Sequence, residues 1–257
     1  MLLQTVPARQ GLQWALTGIR TFWKQPLAMS GLFFLFMALM SVVSIVPVVG
    51  GVLALVLMPA LTAGMMAAAQ TASEGRFPMP GMLWLALRQP ETRRPMLQLG
   101  ALYAAGFLLL MGASVLVDGG AFAGVYLSGA PLSAELVQSD SFQRALWVTL
   151  MLYLPLSMLF WHAPALVLWQ QVPALKSLFF SWMGCWRNRG AFVVYTLAWM
   201  VLFGLATLTA VLAASLIDDG QATMSLLMPM SLLVAAMFFT SMVFSVRDCF
   251  RTEPAKP

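Results

Sequence analysis

The sequence predicts an all-α integral membrane protein, with six transmembrane helices arranged as three hairpins and a cytoplasmic, interfacial amphipathic helix before each. Three observations carry that expectation. Hydrophobic residues make up 61% of the 257 positions and charged residues 9%, where soluble domains carry roughly 25% charge. Apolar runs at 27–49, 50–69, 96–117, 145–168, 191–217 and 224–246 each reach the length of about 20 residues that a bilayer crossing requires. The basic residues, finally, fall on one side of the alternation that these runs impose.

With the N-terminus inside, the inner segments hold Arg9, Arg20, Lys24, Arg76, Arg88, Arg93, Arg94, Lys176, Arg187, Arg189, Arg247, Arg251 and Lys256, which is 13 of the 14 basic residues. The outer segments hold Arg144, with Asp118, Glu135, Asp140, Asp218 and Asp219. Lys and Arg near span ends stay on the cytoplasmic side, so both termini are expected in the cytoplasm. The net charge of +5 then reads as topology and as contact with anionic lipid, not as a nucleic-acid footprint. Little chain is left over, so a single integral membrane domain, 1–257, is expected. The opening residues lack a basic start followed by an apolar core, which leaves the first span to act as the insertion signal.

Taken in order, the segment Pro7–Lys24 places Leu12, Ala15, Leu16, Ile19, Phe22 and Trp23 on one helical face and Arg9, Gln13, Thr17, Arg20 and Lys24 on the other. Such a segment either lies in the headgroup region or packs beneath the bundle. Pro26 marks the turn into the first span, and Pro47–Gly51 the outer turn after it. The second span carries Ala60, Gly64 and Ala68, whose spacing suits close helix contact within one chain. Gly81–Arg88 is expected to form a short interfacial helix with Met82, Leu83, Trp84 and Leu87 toward the membrane. The third span has Gly100, Ala104, Ala105 and Gly112 for close contacts and stops at Asp118-Gly119-Gly120. Phe122, Val125 and Tyr126 form an interfacial patch in the outer loop. Asp140 with Gln143 resembles a capping box opening the fourth span, which contains Pro155, His162 and Pro164. Ala174–Asn188 follows as a second surface helix with Leu175, Leu178, Phe179, Trp182 and Trp186 as its apolar face. Asp218-Asp219-Gly220 turns the fifth span into the sixth, and a proline-containing tail closes the chain.

Phe22-Trp23-Lys24-Gln25 and Cys185-Trp186-Arg187-Asn188 each end an amphipathic segment directly before a span. Trp84 with Arg88-Gln89-Pro90 is a weaker third case. The three units share one orientation, which makes them parallel repeats and not inverted ones.

His162 is the single histidine and the one ionisable side chain expected inside a span, which makes it the candidate intramembrane polar site. Two readings stay open: a proton-handling or ligand site, and a neutral imidazole satisfied by main-chain carbonyls that Pro155 and Pro164 free nearby. Its isolation from any intramembrane carboxylate favours the second. Arg20, Lys24, Arg187 and Arg189 are the candidate contacts to lipid headgroups. Cys185 and Cys249 fall on the reducing side, which disfavours a disulfide, and are expected to pack. The sequence contains neither His-Glu-x-x-His nor Gly-x-Ser-x-Gly, and no glycine-rich phosphate loop before a lysine. No catalytic residue, cofactor or metal is therefore expected, and the 20 methionines read as flexible core filler.

The segments Val6–Gly11, Arg76–Pro80, Phe160–Ala165, Lys176–Ser181, Cys185–Asn188 and Phe244–Phe250 resemble those of an uncharacterised family of proteobacterial six-span inner-membrane proteins. The surface-helix-then-span units are more distantly similar to the membrane domain attached to some bacterial glycerophosphodiester phosphodiesterases, without their catalytic barrel. That resemblance implies an inner-membrane address and transfers no functional residue. The expected function is a non-enzymatic module that binds membrane lipid, a partner protein or a second copy of itself. The alternative is a transporter or channel for a small or amphipathic solute, and a lipid-modifying enzyme comes third.

Overall fold

The computed structural model describes residues 2–47, 49–215 and 220–251. Strand β1 (Leu2–Leu3) leads to α1 (Gln10–Lys24), α2 (Pro26–Ser44) and α3 (Gly50–Ser73). A 3-10 turn at Pro80–Trp84 runs into α4 (Leu85–Arg88), followed by α5 (Pro90–Asp118), α6 (Ala121–Ser128) and α7 (Ala134–Gln138). Then come α8 (Asp140–Phe160), α9 (Ala163–Gln170), α10 (Ala174–Arg187), α11 (Arg189–Ser215), α12 (Gly220–Cys249) and β2 (Phe250–Arg251). Among the described residues six stretches are long and apolar enough to cross a membrane, α2, α3, α5, α8 with α9, α11 and α12, and they overlap the expected runs. Asp218-Asp219, Val48 in the turn after the first span, and the tail with Lys256 lie outside the described residues.

Local chemistry explains the helix ends. At the end of α5, Gly119 and Gly120 take φ of 71° and 103°, which glycine adopts without a Cβ clash. The Asp118 carboxylate then accepts the N–H groups of Gly120 and Phe122 at 2.9 and 2.6 Å, so one side chain ends α5 and caps α6. The start of α8 differs from the expected capping box. Ser139 is the cap, its hydroxyl accepting from Phe142 N at 3.4 Å, and Gln143 instead donates to the Val137 carbonyl. The sequence pattern is displaced by one residue because serine reaches the free N–H groups from the true cap position.

The chain packs as two compact units. The first comprises Met1–Ala38, Leu61–Arg88 and Met183–Pro257. Here α1 lies against α11 and α12, and two glycines allow the approach. A Cβ on Gly11 would overlap the Ala191 carbonyl, and one on Gly18 would overlap Ser241. Trp14 fills the space beside them, with ring centroids 5.3 Å from Phe192 and 6.1 Å from Tyr195, and the Tyr195 hydroxyl bonds to Ser241. The buried face of α1 is Gly11, Trp14, Ala15, Gly18, Thr21 and Phe22. The expected apolar face is rotated off this one: Leu12 and Trp23 point outward, and Leu16 and Ile19 are half-buried. Small residues turn inward because they let backbones touch. Gly64 packs on the backbone of Leu83, as the small-residue spacing of that span suggests. Leu83 and Ala86 are fully buried, so Leu83 does not face outward as expected.

The second unit comprises Leu39–Ala60 and Gln89–Trp182. In it α5 packs against α6, α8 and α9. Gly100 meets the Val56 carbonyl so closely that a Cβ would overlap it. Phe122 joins a core with Leu110, Met111 and Phe142, where an interfacial position was expected. Asp118 ties the start of α6 back to the end of α5 and turns that ring inward, and Tyr126 stays exposed.

Three junctions share one geometry. Gln25, Gln89 and Asn188 each precede a long helix, and their carbonyls accept from Met29, Arg93 and Phe192 at 2.9, 3.0 and 3.1 Å. Before two of them the burial order also matches: Phe22 and Cys185 are buried, while Trp23, Lys24, Trp186 and Arg187 are exposed.

Candidate functional site

The fourth span is interrupted. Helix α8 ends at Phe160 and α9 begins at Ala163, with Pro164 in its first turn, where the missing N–H costs no helical bond. An uninterrupted helix would bond the His162 N–H to the Met158 carbonyl. Instead the hydroxyl of Ser181, from α10, stands between them. It accepts from His162 N at 2.9 Å and donates to Met158 O at 2.8 Å. Insertion of a side chain into the helical ladder is a recognised cause of a kink. His162 is 0% exposed, and its imidazole bonds to the Ser181 main chain. The partner expected from the proline-freed carbonyls is thus supplied by the next helix. Ala163 to Leu168 are all buried around it. Among the described residues no group of three His, Cys, Asp or Glu side chains is placed to hold a metal ion.

A second polar node lies in the first unit. Asn188 is 2% exposed. Its amide nitrogen donates to the carbonyls of Gln4 and Gly184, both at 3.0 Å, with a longer contact to Cys249 Sγ at 3.4 Å. Its amide oxygen accepts from Val6 N at 2.8 Å. Beside it, Asp248 Oδ2 accepts from Gln10 Nε2 at 2.7 Å and Trp14 Nε1 at 2.9 Å. Gln4 N donates to the Cys249 carbonyl, and β1 pairs with β2 antiparallel, Leu2 opposite Arg251. Three of the six segments that carry the family resemblance, Val6–Gly11, Cys185–Asn188 and Phe244–Phe250, therefore meet here. Two others, Phe160–Ala165 and Lys176–Ser181, meet at the helix break.

Spacing alone singles out neither Asn188 nor Asp248. Asp248 reads as chain beyond the sixth span, yet α12 continues through it. Asn188 reads as the polar end of a surface helix. The usable signal is their place at the ends of segments that otherwise match in pattern.

The four candidate headgroup contacts all belong to the first unit and are exposed. Arg20 and Lys24 sit one turn apart on α1. Lys24 also donates to the Ser73 carbonyl at 2.9 Å, at the end of α3, where the helix dipole favours a cation. Arg187 donates to the Thr5 hydroxyl at 2.9 Å. The Arg189 guanidinium lies 5.9 Å from the Trp186 ring centroid, within cation–π range. Arg76 differs: it pairs with Glu74 and holds that carboxyl below its usual range.

Helix α10 presents an unusual face. Ser177, Ser181, Gly184, Cys185 and Asn188 turn inward, while Leu175 is 71%, Phe179 60% and Trp186 53% exposed. Cys185 and Cys249 are both buried and free of a disulfide, and burial pushes the Cys185 thiol up.

No family model matches the chain, and no solved structure does. It is similar to a probable inner membrane protein of Burkholderia thailandensis, 37% identical over 267 aligned residues that cover 100% of this chain and 97% of the relative. None of the three comparisons supports the remoter likeness to the phosphodiesterase membrane domain.

Proposed function

Since the chain belongs to the family of this inner membrane protein, we propose that it is a six-span protein of the bacterial cytoplasmic membrane that binds lipid, without catalysis, through a cytoplasmic collar of amphipathic helices. In this reading the spans form three parallel hairpins and each unit begins with a collar segment: α1, the Pro80–Arg88 segment and α10. The matching burial order at two of the junctions, Phe22 to Lys24 and Cys185 to Arg187, supports the repeat. The pairing of β1 with β2, which brings the two ends of the described chain together, supports a common side for the termini.

The observation that carries the reading is the outward face of α10. Leu175, Phe179 and Trp186 project from it beside exposed Lys176, Arg187 and Arg189. In water, each apolar side chain left exposed forgoes roughly 1.5–3 kcal/mol of burial. At the boundary of headgroups and acyl chains the same face is solvated by lipid, and the cations reach the phosphates. Trp23 and Lys24 repeat the pattern on α1.

Changing Arg20, Lys24, Arg187 and Arg189 together to glutamine tests this, because each cation near an anionic surface contributes about 1 kcal/mol. The expected result is a clear drop in anionic lipid carried through purification, measured by mass spectrometry. Unchanged anionic lipid content, with folding intact, would count against the collar.

The interrupted fourth span favours transport as a second reading, since broken helices line substrate sites in many transporters. His162 and Ser181 would then lie on the path.

A further inference from the structure

We propose that the polar pocket between the N-terminal segment and the last turn of α12 binds a primary-ammonium phosphate zwitterion. That is the chemistry of an ethanolamine phospholipid headgroup or of free phosphoethanolamine. The pocket is about 250 Å³ and is lined by Gln4, Thr5, Val6, Gln10 and Asp248. It is smaller than the roughly 300–1,000 Å³ of drug-sized sites, and suits a headgroup more than a whole lipid.

Charge sets the orientation of the ligand. Among the described residues the one formal charge in the lining is the Asp248 carboxylate, so an anion is repelled from the interior and a cation is drawn in. Asp248 Oδ2 is engaged by Gln10 and Trp14. Oδ1 faces Arg247 Nε at the longer distance of 3.5 Å, which leaves it capacity to accept, since a carboxylate offers about four lone-pair sites. Gln10 donates through its nitrogen to Asp248, which leaves its amide oxygen as an acceptor. The Thr5 hydroxyl adds another.

Acceptors of this kind select an ammonium that carries N–H donors. A quaternary ammonium is instead recognised by aromatic faces, and none of the described residues that line this pocket is aromatic. The rim supplies the opposite charge. Arg187 reaches Thr5 with its Nε and is otherwise exposed, and Arg247 is exposed beside Asp248. Guanidinium groups are suited to phosphate oxygens. An anionic interior beneath a cationic rim fits a ligand that is cationic at its tip and anionic one short linker away.

The lipid form of this proposal rests on the membrane reading above, whereas the free zwitterion does not. Asp248 is no part of the collar, so the two ideas fail separately. The full chain in detergent is mixed with equal amounts of phosphatidylethanolamine and phosphatidylcholine, and bound lipid is read by native mass spectrometry. Soluble phosphoethanolamine and phosphocholine are titrated by calorimetry in parallel. The wild-type chain should prefer the ethanolamine form by at least about tenfold, the value of one charge-assisted hydrogen bond. Asp248→Asn should lose that preference while melting as a folded protein, and the triple change Arg20→Gln, Lys24→Gln and Arg189→Gln should keep it. Preference among the lipids alone assigns the source to a membrane headgroup, and preference among the soluble compounds as well assigns it to the free zwitterion chemistry. Equal binding of ethanolamine and choline forms by the wild-type chain overturns the proposal, and does so even if Asp248→Asn proves unable to fold. Retained preference in a folded Asp248→Asn variant overturns it too.

Discussion

At the residue scale, Ser181 is the side chain on which the fourth span depends. Its hydroxyl joins the two backbone groups that the break separates, Met158 O and His162 N, and holds the imidazole through its own main chain. Ser181→Ala removes the bridge and leaves two buried polar groups to re-pair or stay unmet, at roughly 1–3 kcal/mol for each left unpaired. The variant is expected to melt well below wild type in detergent, with Ser181→Thr close to normal. His162→Gln, which keeps a hydrogen-bonding side chain, should fold and melt nearly as wild type, while His162→Leu should be destabilised. A melting curve for Ser181→Ala that overlays wild type would show that the bridge is dispensable. The histidine itself is legible in the sequence as the lone ionisable group of a span. Its serine partner is not, because Ser181 lies 19 residues further along, in a different helix.

At the element scale, α1 and α10 are both legible as helices from their periodicity; the apolar face expected of α10 does turn outward, whereas the face α1 buries is rotated off the expected one. Hydrophobic periodicity shows that a helix has two unlike sides. It does not say which side meets protein when the surroundings are apolar. In α10 the large residues Leu175, Phe179 and Trp186 face out, while Ser181, Gly184 and Asn188 face in. In α5 the small residues divide by position. Gly100 touches the Val56 backbone, whereas Gly112 has open space beside it. Gly100→Ala should therefore cost roughly 1–3 kcal/mol through overpacking. Gly112→Ala should be neutral or stabilising by up to about 1 kcal/mol, since alanine is the better helix former. Thermal unfolding of the two variants side by side checks this, and equal melting temperatures would contradict the packing described for Gly100.

At the scale of the whole molecule, the charge asymmetry sets the expected orientation and the β1–β2 pair supports a shared side for the two ends. A cytoplasm-active reporter fused after Pro257 should be active, and the same reporter placed in the Asp118–Gln143 connection should be silent. Activity in that connection would invert the topology and move the collar to the outer face. Within the first unit, Asn188 and Asp248 fasten the N-terminal segment across separations of 182 and 238 residues. Asn188→Leu would leave the carbonyl of Gln4 and the N–H of Val6 without these partners, which is why a polar residue is buried there.

By itself the sequence determined the class and the count: six apolar helices, their approximate bounds, and two further helices of mixed polarity. These follow from local composition, because a helix that crosses lipid satisfies its own backbone and needs only a sufficient apolar length. The tertiary structure decided which face of α1 turns inward, where the fourth span breaks and what bridges it. It also decided that Val6, Asn188 and Asp248 converge. Each of those depends on a partner far along the chain, and in an apolar solvent small and polar residues mark contact between helices where large apolar ones mark contact with lipid.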